Sequence, residues 1–452
     1  MRKQNSSILQ GPVFWSILGY TVPIILTSVL QLLFNAADLV IVGRFCGSIS
    51  VAAVGATGAI TNLIINLFIG LSVGAGVTVA HAIGSREEEA VHRAVHTALP
   101  VALISGVVLT GVGVALAETF LRLMGTPDTV LPLSKVYMQI YFGGITFNMV
   151  YNFSASILRA AGDTKSPLIF LTLAGVINVV LNVIFVTVFH MNVAGVALAT
   201  TLSQGVSAIL VVIALMRRTD GCKLYLKKMR FYKMELVKMV RIGLPAGIQG
   251  SLFSISNVLI QSSINSFGDV FMSGNAAAGN IEGFVYVIMN AFHQTAVNFI
   301  GQNVGAQQYD RVKKVLGTCL ISVGVAGLAA GLLGCSFGPQ LLSIYITDSA
   351  EAIASGTLRL SIVCLFYFLC GLMDVSTGAL RGMGASLEPM IISVLGICVL
   401  RIGWIYTIFQ IPAFHTPQCL YLSYPISWVI TFVAQLLAFR KVFRRHTQAI
   451  AK

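Results

Sequence analysis

Charge is scarce in this sequence: charged residues are 10% of 452, against 56% hydrophobic ones, and a soluble domain of that length could not cover its surface with so few. Acids are the rarer sign, with sixteen Asp and Glu against 29 Lys and Arg. None of the eight cysteines (Cys46, Cys222, Cys319, Cys335, Cys364, Cys370, Cys398, Cys419) belongs to a CxxC, which argues against a disulfide framework or a thiolate metal site. His92 and His96 stand four apart but lack the HExxH glutamate and read as ordinary polar residues. No phosphate-binding loop is present, so nucleotide hydrolysis is not indicated. No cofactor and no metal is expected. The net charge of +13 does not imply nucleic acid either, because the basic residues sit in a few connecting loops.

Long apolar runs recur along the chain. A bilayer span needs about 20 mostly apolar residues, and hydropathy divides the sequence into twelve such stretches, near 16–42, 51–80, 94–116, 134–158, 167–190, 193–216, 242–267, 272–302, 315–340, 355–380, 388–412 and 417–440. The expected fold class is an all-α integral membrane protein of twelve transmembrane helices. MRKQNSS at the start is followed by an uninterrupted span with no small-residue cleavage site, so no removable signal peptide is read there. Of the 29 basic residues, 24 fall in alternate loops that include both termini, four (Arg44, Arg122, Lys135, Arg359) fall on the other side, and Arg401 lies inside span eleven. The positive-inside rule then puts both termini in the cytoplasm.

The second half repeats the first. Pro23 and Pro245, Asn35 and Asn257, Leu158-Arg159 and Leu380-Arg381, and Pro167 and Pro389 all stand at one and the same offset along the chain. The hairpins LRAAGDTKSP (158–167) and LRGMGASLEP (380–389) align, with Gly for the turn and Pro opening the next helix. Six spans per repeat is an even number, so the halves enter the membrane the same way and form two six-helix bundles related by a pseudo-two-fold axis along the membrane normal. The expected organisation is an N-lobe over 1–216, a basic cytoplasmic linker over 217–241 and a C-lobe over 242–452.

An acid in the bilayer costs roughly 2.5–3.5 kcal/mol on insertion scales and usually marks an ion pathway. Asp38 in span one and Asp374 in span ten are the clearest at membrane depth. Glu282 either caps span eight or belongs to a site. Asp38 aligns with Ile260 and Asp374 with Asn152, so neither acid is duplicated. Asn178 and Asn182 share a face of span five, and Thr200 on span six could reach it. These neutral oxygens beside one acid suit a proton or sodium better than a structural divalent ion, though asparagines also serve as interhelical hydrogen-bond glue. Arg401 needs a partner, for which Asp374 is a candidate. His293 is a protonation candidate. Pro23 gives span one a place to bend.

The two six-span repeats, the N-x-x-D from Asn35 to Asp38, the following VGR (Val42–Arg44), G-Q-N-x-G (Gly301–Gly305) and the paired LRxxG hairpins together resemble the multidrug and toxic compound extrusion (MATE) family. The resemblance covers nearly the whole chain. It implies two bundles forming a V-shaped cleft and export of drug-like organic cations in exchange for protons or, second, sodium. It also implies Asp38 as the N-lobe acid, with Asn178, Asn182 and Thr200 around it, and Asp374 as the C-lobe acid; beside these, Asn35 is a further candidate in the N-lobe and Asn257, Glu282 and Arg401 are candidates in the C-lobe. Many DinF-like members have an acid where this chain has Asn182, and NorM-like members have a span-seven glutamate where it has Phe253 and Ser254. The implied protein is a monomeric, multi-pass transporter of the plasma membrane. A lipid-linked oligosaccharide flippase is the alternative, distinguished by several cavity arginines where Arg401 alone is evident here. A membrane-embedded enzyme is disfavoured, because no nucleophile–base or metal set lies at membrane depth.

Overall fold

Apolar segments that cannot bond their backbone to water close their hydrogen bonds internally, as helices. Every regular element among the described residues is helical. The structure is a computed structural model that describes residues 8–347 and 349–450. The charged start at residues 1–7, on which the signal-peptide reading and two of the counted basic residues fall, lies outside them, as does Lys452. Packing divides the chain into two units.

The first unit, Val22–Ser251, takes most of α1 (Val13–Phe45), then α2 (Ser48–Gly84), α3 (Glu88–Ala115), the short α4 (Ala117–Leu123), α5 (Leu131–Gly143), α6 (Ile145–Ala160), α7 (Lys165–Val183, prolonged by a π-helical turn Ile184–Val188), α8 (Asn192–Met216) and the start of α9 (Lys233–Asn265). A hydrophobic core of this unit joins α2, α3, α6 and α8 through residues such as Val79, Val95, Phe153 and Val211. The second unit, residues 8–21 with 252–450, takes the rest of α9, then α10 (Asp269–Gly305), α11 (Tyr309–Ser336), α12 (Gly338–Tyr345), α13 (Ala350–Arg359), a π-helical turn Leu360–Cys364, α14 (Tyr367–Gly382), α15 (Leu387–Ser393), a second π-helical stretch Val394–Val399, α16 (Leu400–Tyr406) and α17 (Pro417–Ile450). Val363, Met373, Ile397, Tyr421 and Trp428 form part of its core.

The repeat is visible in the helix bounds. α10 matches α2 in length, α11 matches α3 and α14 matches α6, and each pair is separated by the offset that relates the repeated prolines, or by one position less. Large apolar side chains lie bare on the outside, Val107 at 65%, Ile321 at 70% and Val325 at 66% exposed, as lipid contact requires and water would penalise. Among the described residues, eight helices are both long and apolar enough to cross a membrane, or nine if the pair bent by 42° around residues 365–366 counts as one span. The twelve spans read from hydropathy exceed this for physical reasons. The stretch 131–160 is interrupted at Gly144, while α9 and α10, with 33 and 37 residues, are long but carry more polar side chains.

Residues 8–21 pack with the second unit: the Thr21 and Thr295 hydroxyls meet at 2.8 Å, the Tyr20 and Phe299 rings at 5.2 Å, and Arg311 Nε donates to the Ile8 carbonyl at 2.9 Å. The start of α9 instead crosses α2. A Cβ on Gly70 or Gly247 would strike the opposite backbone, and one on Gly243 would meet Leu71 Cα at 2.6 Å. Small residues at such a crossing let helix backbones touch where lipid gives no hydrophobic drive. Gly247→Val is therefore expected to cost roughly 1–3 kcal/mol or more through overpacking and to lower the melting temperature in detergent. Gly111→Ala, which meets nothing within 4 Å, should leave that temperature unchanged. Equal melting of the two variants would refute the crossing.

The linker between the halves is shorter than its basic composition implies, since residues 233–241 already belong to α9. It is anchored on α3: His96 Nε2 accepts from the Tyr225 backbone N–H at 2.9 Å, and Thr97 Oγ1 accepts from that of Tyr232 at 3.2 Å. The His92 and His96 rings stack at 3.8 Å, so these histidines have a structural task. In the same linker, burial opposes ionisation of Asp220, but the Arg218 guanidinium bonded to it at 2.9 Å outweighs that and holds the carboxyl below its usual range.

Candidate functional site

In the first unit, α1 and α7 bring the polar residues together. Phe34 and Asp38 are one turn apart on α1, and Gly175, Asn178 and Asn182 share a face of α7. A Cβ on Gly175 would overlap the Phe34 ring. The missing side chain lets Phe34 seat against α7 and sets the register at which Asp38 meets Asn182. Asn182 Nδ2 donates to Asp38 Oδ1 and, at 3.2 Å, to Asn178 Oδ1, while Asn178 Nδ2 donates to Thr200 Oγ1 at 3.3 Å. Thr200, on α8, lies near Asp38, and its hydroxyl donates to the Val196 carbonyl at 3.0 Å. Asn178 and Asn182 are buried, and Asp38 is half-buried.

Four of the five residues expected in this lobe thus form one network. Asn35, one turn before Asp38, is exposed and makes no hydrogen bond to the network among the described residues. Two features carry chemical meaning. No cation pairs with Asp38 among the described residues, so its charge is met only by neutral donors. Asn182 Oδ1 is buried with no partner, an acceptor placed beside the one group that gains a donor when protonated. Sequence reasoning missed Tyr137, which lies close enough to Asp38 to interact electrostatically and whose ring stacks with Tyr141 at 6.3 Å. Its recurrence with Tyr141 at i, i+4 is the available signal.

The four residues proposed for the other lobe fall into separate settings. Asp374 on α14 lies near Arg381 and Tyr286; its backbone carbonyl contacts His293 Nδ1 at 2.7 Å, and His293 Nε2 lies 3.4 Å from Arg381 Nη1. Arg401 does not pair with Asp374. Its Nε donates to Ser427 Oγ at 2.8 Å, and its guanidinium lies over the Tyr424 and Trp428 rings at 4.2 and 5.5 Å. Glu282 is no helix cap but a buried residue inside α10, bonded at 2.8 and 2.7 Å to both prongs of Arg359. Arg359, counted from sequence on the non-cytoplasmic side at the start of span ten, is largely buried with it at the end of α13 and also donates to Asn275. Asn257 is exposed. Arg359, Arg381 and Arg401 are therefore all largely buried, which corrects the reading of Arg401 as the single interior arginine. A carboxylate lies with each of the first two.

The MatE family profile matches twice, over residues 23–184 and 245–407, one match per repeat. The chain is 29% identical over 397 residues, 87% of each chain, to the probable multidrug resistance protein YpnP of Bacillus subtilis (strain 168). It is 20% identical over 386 residues, 85% of each chain, to the multidrug export protein MepA of Staphylococcus saprophyticus. Among solved structures, a MATE protein in the bent conformation superposes with a TM-score of 0.90 at 21% identity, covering 99% of both chains. An outward-facing multidrug resistance MATE transporter superposes at 0.90 and 22%, covering 98% and 99%.

Proposed function

This chain belongs to the MATE family of membrane transporters, and on that premise we propose that it is a secondary antiporter that exports amphipathic organic cations in exchange for protons, with Asp38 as the coupling group. The observation that carries the proposal is the Asp38 carboxylate, held by neutral donors with no counter-cation among the described residues. A carboxylate in that setting is costly when ionised, and either a proton or an organic cation relieves the cost. Two ligands that neutralise one charge exclude each other, which is the minimal mechanism of antiport. Protons are favoured over sodium because an Asn182 N–H already occupies an Asp38 oxygen, and no second carboxylate among the described residues completes an oxygen shell. The orphan Asn182 Oδ1 supports the same reading: rotating the Asn182 and Asn178 amides together presents it to a protonated Asp38 and keeps the Asn178–Asn182 bond. Names borne by relatives, multidrug resistance and multidrug export, support the substrate class.

The twelve spans, the plasma membrane, cytoplasmic termini and action as a monomer belong to this proposal; the 24-to-4 basic bias supports the orientation. Reconstituted vesicles test the coupling. A pH gradient without sodium should drive accumulation of a cationic dye, whereas a sodium gradient at fixed pH should not. Transport driven by sodium alone would reject proton coupling, and movement only of lipid-linked sugars would favour a flippase.

A further inference from the structure

The two units differ in the sign of the charge left over inside them. In the first, Asp38 stands without a cation among the described residues. In the second, three guanidinium groups (Arg359, Arg381, Arg401) stand with two carboxylates: Glu282 is committed to both prongs of Arg359, and Asp374 lies near Arg381. Arg401 is the one in excess. It is 4% exposed, in no ion pair among the described residues, and its Nη2 is buried without a hydrogen-bond partner. A buried, unpaired cation with an unmet donor costs several kcal/mol unless a ligand meets it.

Its position follows from the internal repeat. The first-unit network is made by α1, α7 and α8. The offset that carries Pro167 to Pro389 also carries Asn178 and Val179 on α7 to Leu400 and Arg401 on α16, and Gly205 on α8 to Ser427 on α17. The matching second-unit positions lie on α16 and α17, with α9 alongside through Cys398 Sγ and the Leu252 carbonyl at 3.7 Å. Arg401 thus aligns with Val179, the neighbour of Asn178, so where α7 sets amides against a carboxylate the second unit places a guanidinium one position along. Tyr424 and Trp428 cover a face of that guanidinium and Ser427 fixes Nε, which leaves the in-plane N–H edge, where a planar guanidinium takes a carboxylate fork-to-fork.

We propose that the Arg401 pocket binds an organic carboxylate, the anionic group of aromatic acids and of zwitterionic substrates, so that the second unit recognises an anion as the first recognises a cation. The link to zwitterionic substrates rests on the antiport reading, whereas anion binding does not. The aromatic walls favour a carboxylate on an aromatic frame over an inorganic anion.

Tryptophan fluorescence of the purified full chain reads the pocket directly, because Trp428 lies 5.5 Å from the guanidinium. Benzoate should produce a saturable change, while its neutral isostere benzamide and sodium chloride at equal concentration should not. Arg401→Gln should weaken benzoate by about tenfold or more, the worth of a charge-assisted hydrogen bond. Arg401→Lys, which keeps the charge and loses the fork, should lie between Arg401→Gln and the wild type, and it decides alone if Arg401→Gln fails to fold. No benzoate response, a response shared by benzamide or chloride, or one indifferent to both substitutions overturns the proposal. A carboxy-rhodamine and its methyl ester separate this inference from the antiport reading. Arg401→Lys should reduce pH-driven transport of the free acid and spare the ester, and equal effects on both defeat the inference. Failure of the wild type to move either dye defeats the antiport reading and leaves the benzoate result standing by itself.

Discussion

Asp38→Asn is expected to reduce pH-driven dye export to the level of protein-free vesicles while the protein still inserts, folds and melts no lower than the wild type. Each pH unit supplies roughly 1.4 kcal/mol per proton, a tenfold concentration ratio for one-to-one exchange, and that energy reaches the substrate only through a group that gives up its proton. An amide cannot. The substitution mimics the protonated acid, and Asn182 retains a partner at that position, now a neutral one. Because Asp38 pairs with no cation among the described residues, its neutralisation orphans no charge, and losing an intramembrane acid lowers an insertion cost of about 2.5–3.5 kcal/mol. Asp374→Asn should show the opposite signature: Arg381, buried beside it, would lose its nearby countercharge, so the melting temperature should fall. Parallel measurements of vesicle transport and detergent melting check both. Full proton-driven export by Asp38→Asn would transfer the coupling role to Asp374.

The sequence makes legible what periodicity and rarity can carry. Helix bounds recur at a nearly constant offset because the repeat preserves turn and start signals such as Gly84 and Gly305 or Pro167 and Pro389. Asp38, Asn178, Asn182 and Thr200 stand out as polar residues in apolar spans, and the i, i+4 spacing of the asparagines already places them on one face. Partnership across helices is not legible. Glu282 and Arg359 come from separate helices far apart in the chain, and the helix that carries Arg359 is short and followed by a π-helical turn, so the sequence reading sets the arginine at the outer end of span ten. Arg401 is visibly a cation in a span, but the Tyr424 on which it stacks belongs to a different helix. Gly175 gives no sign either, since its role is the space it leaves for Phe34.

Arg359→Leu should be among the most destabilising single substitutions in the second unit, because it strips Glu282 of both its hydrogen bonds and leaves a buried carboxylate uncompensated. Breaking one side of a buried ion pair costs about 3–5 kcal/mol, which for a unit of this size corresponds to roughly 6–20 °C in melting temperature. The loss spreads, because Asn275 Oδ1 accepts from Arg359 at 2.6 Å and from Tyr421 at 2.9 Å, and the Tyr421 and Tyr424 rings lie 5.8 and 5.9 Å from the Arg359 guanidinium. Tyr424 is also the ring on which Arg401 rests, so the Arg359 substitution should disturb the Arg401 pocket as well. Glu282→Leu added to Arg359→Leu removes the orphaned charge, and apolar replacement of a whole buried pair is often neutral or better. The double variant should therefore recover most of the lost melting temperature, and the cycle of wild type, two single variants and the double isolates the pair energy. Arg359→Leu melting like the wild type would show that the pair is not closed in the membrane, and a double variant as unstable as the single would place the energy in the Asn275 and Tyr421 contacts instead.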